Sequence, residues 1–420
     1  MPLFDPSTTA MIIVALMAGA LGLGGYLVLS ERKIAAWIQD RRGPNRVGPG
    51  GLFQPIADGA KMFLKEEVIP AHVDKVFYLL APIVSVSTAL LALAVIPFGP
   101  TTPPPAPVPF TADHSAFELL DEFQRRQADY QQYTSYVLAP GLDIGLLYVF
   151  ALGSLAVYGV ILAGWSSNSK YSLLGCLRAS AQIVSYEIPL GLAVLGVILM
   201  AGSLNLETII ARQTQQGPYW FVFFQPLAML LFLVSLYAED NRLPFDLAEA
   251  EQELVGGYHT EYSSMKLGLM LLAEYIHLVI SSFLVTVVFL GGWSLFGLEG
   301  LLGETPWAAV VKVLVICGKM LFLVLFAQVI RWTIPRFRFD QLMNLAWKVL
   351  VPLGLLNLAC VMMVLQWQLP WITLTVVSVL LFVATGYLSA RWQGSVTVPR
   401  RKVVPLPPGL PPGVTFAPQR

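Results

Sequence analysis

The sequence predicts an all-α, polytopic integral membrane protein, and three observations support this fold class. Of the 420 residues, 56% are hydrophobic, and the mean hydropathy of +0.67 exceeds what the core of a soluble domain requires. Charged residues make up only 12% of the chain. The apolar residues are collected into long runs, each close to the ~20 residues that cross a bilayer as a helix.

Nine such runs define the predicted spans within one membrane domain, residues 1–390. The last two are separated only by Gln368, Leu369 and Pro370. This spacing predicts either a tight helical hairpin or one span followed by a segment at the membrane surface, so we expect eight or nine transmembrane helices. The runs cover residues 8–29, 77–98, 142–163, 182–201, 219–238, 271–290, 308–330, 349–367 and 370–389.

The distribution of Lys and Arg predicts an N-terminus outside, because cytoplasmic loops carry an excess of basic residues. In this orientation five cytoplasmic segments hold 8, 2, 2, 4 and 5 basic residues, against 3 in all outward loops together. These segments are predicted as long loops, 30–76, 164–181, 239–270 and 331–348, and a flexible Pro-rich tail, 391–420. A second Pro-rich stretch, about 99–140, is predicted to face outward. The first run is expected to be retained rather than cleaved, since no basic residue precedes it.

The first cytoplasmic loop contains a short amphipathic stretch. After a Gly- and Pro-rich turn at 43–51, apolar residues alternate with Asp58, Lys61 and Lys65 at helical spacing. One interpretation is a helix that anchors the chain at the membrane interface. The other is the rim of a cavity that admits a lipid-soluble ligand, with Asp58 facing that cavity.

The Cys and His residues do not have the spacing of a metal site. Cys176, Cys317 and Cys360 form no CxxC motif, and the four His residues do not form facing pairs. Iron–sulfur clusters require a set of thiolates, and bis-histidine haem requires two imidazoles on neighbouring helices. We therefore expect no metal, flavin or haem bound by this chain.

Carboxylates within or beside the spans are the candidate functional groups. Glu187 lies inside the fourth run, where an ionised group is costly and usually functional. It is either a proton-exchanging group or a structural acid that pairs with Arg178 or a Tyr.

A dense acidic stretch follows the fifth run. Asp246, Glu249 and Glu253 are predicted to share one helical face, with Glu251 opposite, while Glu239 closes one span and Glu261 and Glu274 lead into the next. A solvated acidic helix, offset in part by Arg242, is one interpretation. A proton relay that connects water with the membrane interior is the other. Glu187 and Lys319 would also suit a stand-alone proton or cation transporter.

Eight motifs, in order, resemble a known family. They are Glu31-Arg32-Lys33, Gln39 to Gly51, Gln54 to Gly59, Trp165 to Leu174, Ser185-Tyr186-Glu187, Ala238 to Val255 with Glu261-Tyr262, Ala273-Glu274-Tyr275, and Arg331 to Leu342. Together they resemble the H subunit of proton-pumping NADH:quinone oxidoreductases, the bacterial counterpart of mitochondrial complex I subunit 1. The resemblance covers residues 8–367.

The resemblance implies a membrane component that forms a quinone chamber with two hydrophilic partners and holds no catalytic redox centre of its own. Quinone would be the substrate, bound at the interface between them. Chamber residues would be Glu31, Arg32, Arg41, Arg46, Asp58, Arg242, Phe245 and Asp246. Proton-relay residues would be Glu187, Glu239, Asp246, Glu249, Glu251, Glu253, Glu261, Glu274 and Lys319.

The implied partners are the quinone-site and iron–sulfur subunits of a peripheral arm, small and antiporter-like membrane subunits, and the lipid bilayer, with no nucleic acid. The implied location is the bacterial inner membrane rather than the mitochondrial one. A similar component of a membrane-bound hydrogenase or another donor-dependent complex is the alternative within the superfamily.

Overall fold

The computed structural model describes residues 6–102, 124–125, 136–215, 220–247, 255–297 and 306–393. All regular elements in these ranges are helices, which confirms the predicted all-α class. Most of the segment 99–140 and nearly all of the tail 391–420 lie outside the described residues.

Thirteen α-helices are numbered here in chain order. The first six are α1 (Pro6–Ile38), α2 (Gln54–Leu64), α3 (Lys75–Ala92), α4 (Gly145–Ser166), α5 (Lys170–Ala201) and α6 (Leu206–Gln215). The others are α7 (Phe221–Phe224), α8 (Pro226–Glu239), α9 (Ser264–Phe289), α10 (Pro306–Thr333), α11 (Phe339–Leu345), α12 (Val351–Gln366) and α13 (Ile372–Gln393).

Seven helical segments in the described residues are long and apolar enough to cross a membrane. They lie in α1, α3, α4, α5, α9, α10 and the continuous segment Phe339–Gln366, in which a π-helical turn joins α11 to α12. Two shorter apolar segments, in α8 and α13, coincide with the remaining predicted runs. The helices α12 and α13 pack against each other, and α13 also packs on α8. This packing favours the hairpin interpretation of the last two runs.

Two helices, α5 and α9, form the centre of the bundle. Helix α5 packs against α4, α8 and α12, while α9 packs against α1, α3 and α10. Because lipid tails are as apolar as the side chains, such helices associate through close packing rather than through the hydrophobic effect. At Gly159 of α4, a Cβ would lie 3.3 Å from the carbonyl oxygen of Ala81 in α3. A small residue is therefore required where these two helices cross.

The segments 164–181 and 331–348, predicted as cytoplasmic loops, are largely helical. Helix α4 continues to Ser166 and α5 already begins at Lys170, so the first loop is a three-residue turn. Helix α10 continues to Thr333 and α11 begins at Phe339, which leaves five residues for the second. Hydropathy marks only the part of a helix that lies in hydrocarbon, whereas polar turns extend these helices beyond it.

Candidate functional site

A cavity of about 590 Å³ lies between α1, α2 and α9, and we call it the large cavity. Its walls are mostly apolar, with Gly25, Val28 and Leu29 from α1 and Leu269, Leu271 and Leu272 from α9. Helix α2 contributes Asp58 on one side. Glu31, Arg242 and Arg331 also line it. The large cavity thus combines an apolar body with buried charge.

Helix α2 lies across the beginning of α9. Its first turn contains Pro55, which suits the start of a helix. The hydroxyl of Ser264 donates to the carbonyl oxygens of Met62 at 2.8 Å and Lys65 at 3.1 Å, which fixes the end of α2. Ile56, Phe63 and Leu64 remain exposed. The amphipathic helix predicted from the sequence is confirmed, and the exposed apolar side chains suit a membrane interface.

Buried charges at the wall of the large cavity form what we call the Arg242 cluster: Arg242, Glu31, Glu274, Arg331 and Tyr275. The guanidinium of Arg242 lies 3.8 Å from Glu31 and 3.7 Å from Glu274, and it stacks 3.9 Å from the centre of the Tyr275 ring. Glu31 also forms an ion pair with Arg331 at 2.7 Å and accepts a hydrogen bond from the Tyr275 hydroxyl at 2.8 Å. The cluster therefore joins α1, α9, α10 and the segment after α8.

Electrostatics keep Arg242 charged within this cluster. Burial opposes the charged form, but Glu274, Tyr275 and Glu31 together raise the pKa of Arg242 above its usual value. Nearby, burial and the charge of Arg242 lower the pKa of His259 to about 3. His259 is thus neutral at physiological pH and adds no second positive charge.

Asp58 is held by polar partners on α1 and α2. Its carboxylate accepts hydrogen bonds from Arg32 at 2.7 Å and Gln54 at 2.8 Å, and Lys61 lies 3.7 Å away. The Asp58 side chain is 26% exposed. Its position beside the large cavity agrees with the second interpretation of the amphipathic stretch, in which Asp58 faces a cavity.

A second cavity, of about 50 Å³, lies deeper among α3, α4, α5, α8 and α9, and we call it the small cavity. Its polar wall is formed by Glu239, Asp240, Glu274, His277 and Tyr258 together with Asn241 and Ser85. The Tyr258 hydroxyl donates to Glu274 at 3.1 Å. Glu274 belongs both to this wall and to the Arg242 cluster, so it connects the two sites.

Glu187 on α5 and Glu239 on α8 each lie against one of two adjacent residues of α4, Ser154 and Gly153. The hydroxyl of Ser154 donates a hydrogen bond to Glu187. Gly153 lines the small cavity together with Glu239, and a Cβ at that glycine would overlap the Glu239 carboxylate. A side chain at 153 would therefore require the Glu239 carboxylate to shift. Glu187 is bonded to Ser154, whereas the sequence suggested Arg178 or a Tyr as the partner.

Helix α9 changes character along its length. The part of α9 up to Ser281 carries Glu274, His277 and Ser281 on one face. The end of the helix, residues 282–289, is tightly packed, with Val285, Val287, Val288 and Phe289 all buried. The hydroxyl of Thr286 is bonded within the helix, to the carbonyl of Ser282 at 2.8 Å.

Arg41, Arg46 and Phe245 do not line the large cavity. Arg41 and Arg46 are exposed in the turn after α1. Phe245 is buried, with its ring centre 5.6 Å from that of Tyr186 and 5.5 Å from that of Phe337. Phe245 therefore packs the segment after α8 onto α5 and onto the loop after α10.

Asp246 lies in a non-helical segment, so the predicted helical face that begins at this residue is wrong at its start. Arg336 fixes this segment, because its guanidinium hydrogen-bonds the Asp246 carbonyl and lies 3.9 Å from the Asp246 carboxylate. The tertiary contact replaces the local helix. Glu249, Glu251 and Glu253 lie outside the described residues.

Glu261 and Lys319 line neither the large nor the small cavity. Glu261 lies 3.9 Å from the imidazole of His72. Lys319, on α10, reaches the turn that follows the C-terminal end of α9. Its ammonium donates to three carbonyl oxygens at 2.6 to 2.9 Å, those of Leu290, Gly292 and Ser294.

Several residues of the site are not among the sequence-predicted members, among them Asp240, Tyr258, Tyr275, His277 and Arg331. Asp240, Tyr275 and Arg331 each stand inside one of the motifs, and this position is their only signal in the sequence. Arg331 falls in a predicted loop, yet it lies in the last turn of α10 and reaches Glu31. No group of three or more metal-ligating side chains was found in the described part of the chain, and the expectation that no metal binds stays a prediction.

Comparison with known proteins agrees with the resemblance seen in the motifs. Residues 10–362 match the family described as NADH dehydrogenase. The H subunit of the NADH-quinone oxidoreductase of Flavobacterium johnsoniae is 42% identical over 351 residues, which are 83% of this chain and 92% of that protein. An H subunit of the same enzyme from Geobacter sulfurreducens, numbered 2, is 46% identical over 80% of this chain and 90% of that protein.

NADH-quinone oxidoreductase subunit 8 of Rhodothermus marinus is 44% identical, over 83% of this chain and 94% of its own length. The family match therefore extends from α1 into α12 and includes both cavities. With nine apolar helical segments in its described part and this similarity, the chain is an integral membrane protein that belongs to the NADH dehydrogenase family.

Proposed function

We propose that this chain is the H subunit of a bacterial proton-translocating NADH:quinone oxidoreductase, located in the inner membrane with its N-terminus outside. In this role the chain binds quinone in the large cavity. The change of charge that accompanies quinone reduction is then passed on through the acidic residues of the small cavity. The observation that carries the proposal is the large cavity itself, whose apolar body leads to the buried Arg242 cluster.

The two parts of the large cavity suit the two parts of a quinone. An isoprenoid tail favours the apolar walls of α1 and α9, whereas a polar head favours hydrogen-bond donors and charge. Reduction of a quinone to a quinol consumes two electrons and two protons. The electrons come from partner subunits, and this chain supplies the site and the neighbouring acids. The exposed turn with Arg41 and Arg46 is a suitable surface for those hydrophilic partners.

The small cavity offers a route for the charge change. Proton uptake by the quinone alters the field at Glu274, which contacts Arg242 and also lines the small cavity. Carboxylates with coupled titrations pass such a change along a connected series. The series continues through Glu239 to Glu187, from where the antiporter-like membrane subunits receive it.

A substitution that narrows the large cavity tests quinone entry. With Gly25→Leu, we expect the KM for a long-chain quinone to rise roughly tenfold, corresponding to about 1.4 kcal/mol, because the new side chain occupies the space of the tail. Electron transfer from NADH to a hydrophilic acceptor should persist, since the redox centres are elsewhere. The assay is steady-state kinetics in native membranes.

Gly22→Leu is the matched control, because Gly22 lies on the same helix but does not line the cavity. A Cβ at Gly22 would have no other atom within 4 Å, so the new side chain has room. An unchanged KM for Gly25→Leu in an assembled complex would contradict quinone entry at this place. A native gel reports assembly, and migration of the chain without redox subunits would favour a stand-alone transporter.

The relay is tested at Glu239 and Glu187. A glutamine keeps the size of the side chain but cannot carry the proton, so we expect coupled proton translocation to fall on the order of a hundredfold in Glu239→Gln and Glu187→Gln. The measurement is the pH gradient formed by the reconstituted complex. Asp340→Asn, at an exposed position of α11, is the control. Full pumping by both variants would remove these residues from the relay.

A further inference from the structure

Asp240 is a buried carboxylate directly after the last residue of α8. Only 4% of its surface is exposed. Its Oδ1 atom accepts a hydrogen bond from the hydroxyl of Ser281 on α9 at 2.9 Å. Its buried Oδ2 atom has no hydrogen-bond partner among the described residues. A carboxylate in this state is expensive unless water or a proton satisfies it.

The surroundings of Asp240 supply room for water. Asp240 lines the small cavity of about 50 Å³ and also a neighbouring cavity of about 20 Å³. A cavity of roughly 10–15 Å³ already holds one water if it offers polar partners. Glu239 and His277 line both cavities as well, and the Nε2 atom of His277 is buried and has no partner in the described part of the chain. Asp240 therefore lines both cavities, and each of them has polar side chains in its wall.

We propose that Asp240 is a proton-carrying residue that links Glu274 to Glu239 through water in these two cavities. The inference deepens the proposed relay and rests on it. Glu274, a carboxylate while it is paired with Arg242, first takes up a proton. That proton then passes along water to Oδ2 of Asp240 and continues to the carboxylate of Glu239. Each donor is left as a carboxylate, and no electron moves in these steps.

The hydrogen bond from Ser281 gives Asp240 a fixed orientation. Because Oδ1 is held against α9, Oδ2 is the oxygen that remains to exchange a proton. The charged and titratable groups around it include Tyr237 and Glu239 on α8, Glu274 and His277 on α9, Tyr258, and Arg242. A carboxylate at 240 thus supplies a proton acceptor between two other carboxylates that lie on different helices.

The test uses the assembled complex in proteoliposomes with Asp240→Asn and Asp240→Glu. Asparagine keeps the size of the side chain and loses the exchangeable proton, so proton translocation should fall by at least roughly tenfold, whereas glutamate should recover most of it. Ser282→Ala, which removes a neighbouring buried hydroxyl bonded to Leu278, should pump like the parent. Infrared difference spectra of complexes with isotope-labelled aspartate should contain a redox-linked carboxyl band that is absent in Asp240→Glu.

The infrared experiment tests the inference even if Asp240→Asn fails to assemble. It compares the parent with Asp240→Glu, which keeps the charge at this position. An aspartate band that persists in Asp240→Glu would overturn the inference, as would full pumping by Asp240→Asn. Glu274→Gln separates this failure from that of the relay. If Glu274→Gln loses pumping and Asp240→Asn does not, only the role of Asp240 is wrong. If neither loses pumping, the relay is wrong and the role of Asp240 with it.

Discussion

Replacing Arg242 with glutamine is expected to cost about 3–5 kcal/mol of stability, the range for breaking a buried ion pair by removing one partner. Arg242 is 8% exposed and faces both Glu31 and Glu274. Without the charge of Arg242, Glu274 loses this ion pair and keeps the hydrogen bond from Tyr258, while Glu31 still has Arg331. The measurement is the melting temperature of the purified complex, with assembly followed on a native gel.

A double-variant cycle separates this electrostatic cost from lost packing. Arg242→Gln combined with Glu274→Gln removes both charges, so we expect the pair to recover much of the stability lost in the single variant, though not proton translocation. Lys348→Gln, at an exposed position, should leave the melting temperature unchanged. If the Arg242→Gln complex and the parent complex have the same melting temperature, the Arg242 cluster is not a structural requirement.

Replacing Asp58 with asparagine is expected to lower inhibitor-sensitive quinone reduction by roughly tenfold to a hundredfold. Hydrogen bonds to charged groups contribute about 1.5–3 kcal/mol each, and Asp58 accepts two of them beside the large cavity, from Arg32 and Gln54. Its loss removes the charge that orients Arg32. Electron transfer from NADH to an artificial acceptor should persist, because no redox centre is touched.

The control for Asp58 is Asp40→Asn, an exposed carboxylate in the same loop. Asp40 has a φ of 52°, a conformation that asparagine also adopts readily. Quinone reduction should then remain at the parent level. Equal loss of both activities in Asp58→Asn would point to failed assembly, and unchanged quinone reduction in an assembled complex would remove Asp58 from the site.

The spans and the amphipathic helix could be predicted from the sequence because each depends on a local pattern. Apolar runs of about 20 residues identify transmembrane helices wherever they occur, and the helical spacing around Asp58 is contained within α2. For the same reason Glu187 and Glu239 could be recognised, since a carboxylate inside or at the end of an apolar run is visible without knowledge of the fold.

The assembly of the site could not be predicted, because its contacts join distant parts of the chain. Glu31 and Arg242 are more than 200 positions apart. They meet because α1 packs against α9 and the segment after α8 places Arg242 on Tyr275 of α9. At Asp246 a distant contact overrides the local pattern. The spacing of the acidic residues predicts a helix there, but Arg336 holds Asp246 in a non-helical segment. Lys319 is an ionisable residue inside an apolar run, so the sequence alone groups it with the relay acids. In the structure its ammonium binds backbone carbonyls at the other end of α9.

The packed end of α9, residues 282–289, has an electrical consequence for the proposed relay. Moving one elementary charge through a potential of 100 mV is worth about 2.3 kcal/mol, so a continuous polar path across a proton-translocating membrane protein would dissipate the gradient that it builds. Val285, Val287, Val288 and Phe289 are almost completely buried at this end of the helix. In the proposed relay these apolar side chains act as insulation, so we expect a charge change at Glu274 to pass sideways, to Asp240 and Glu239, rather than along α9.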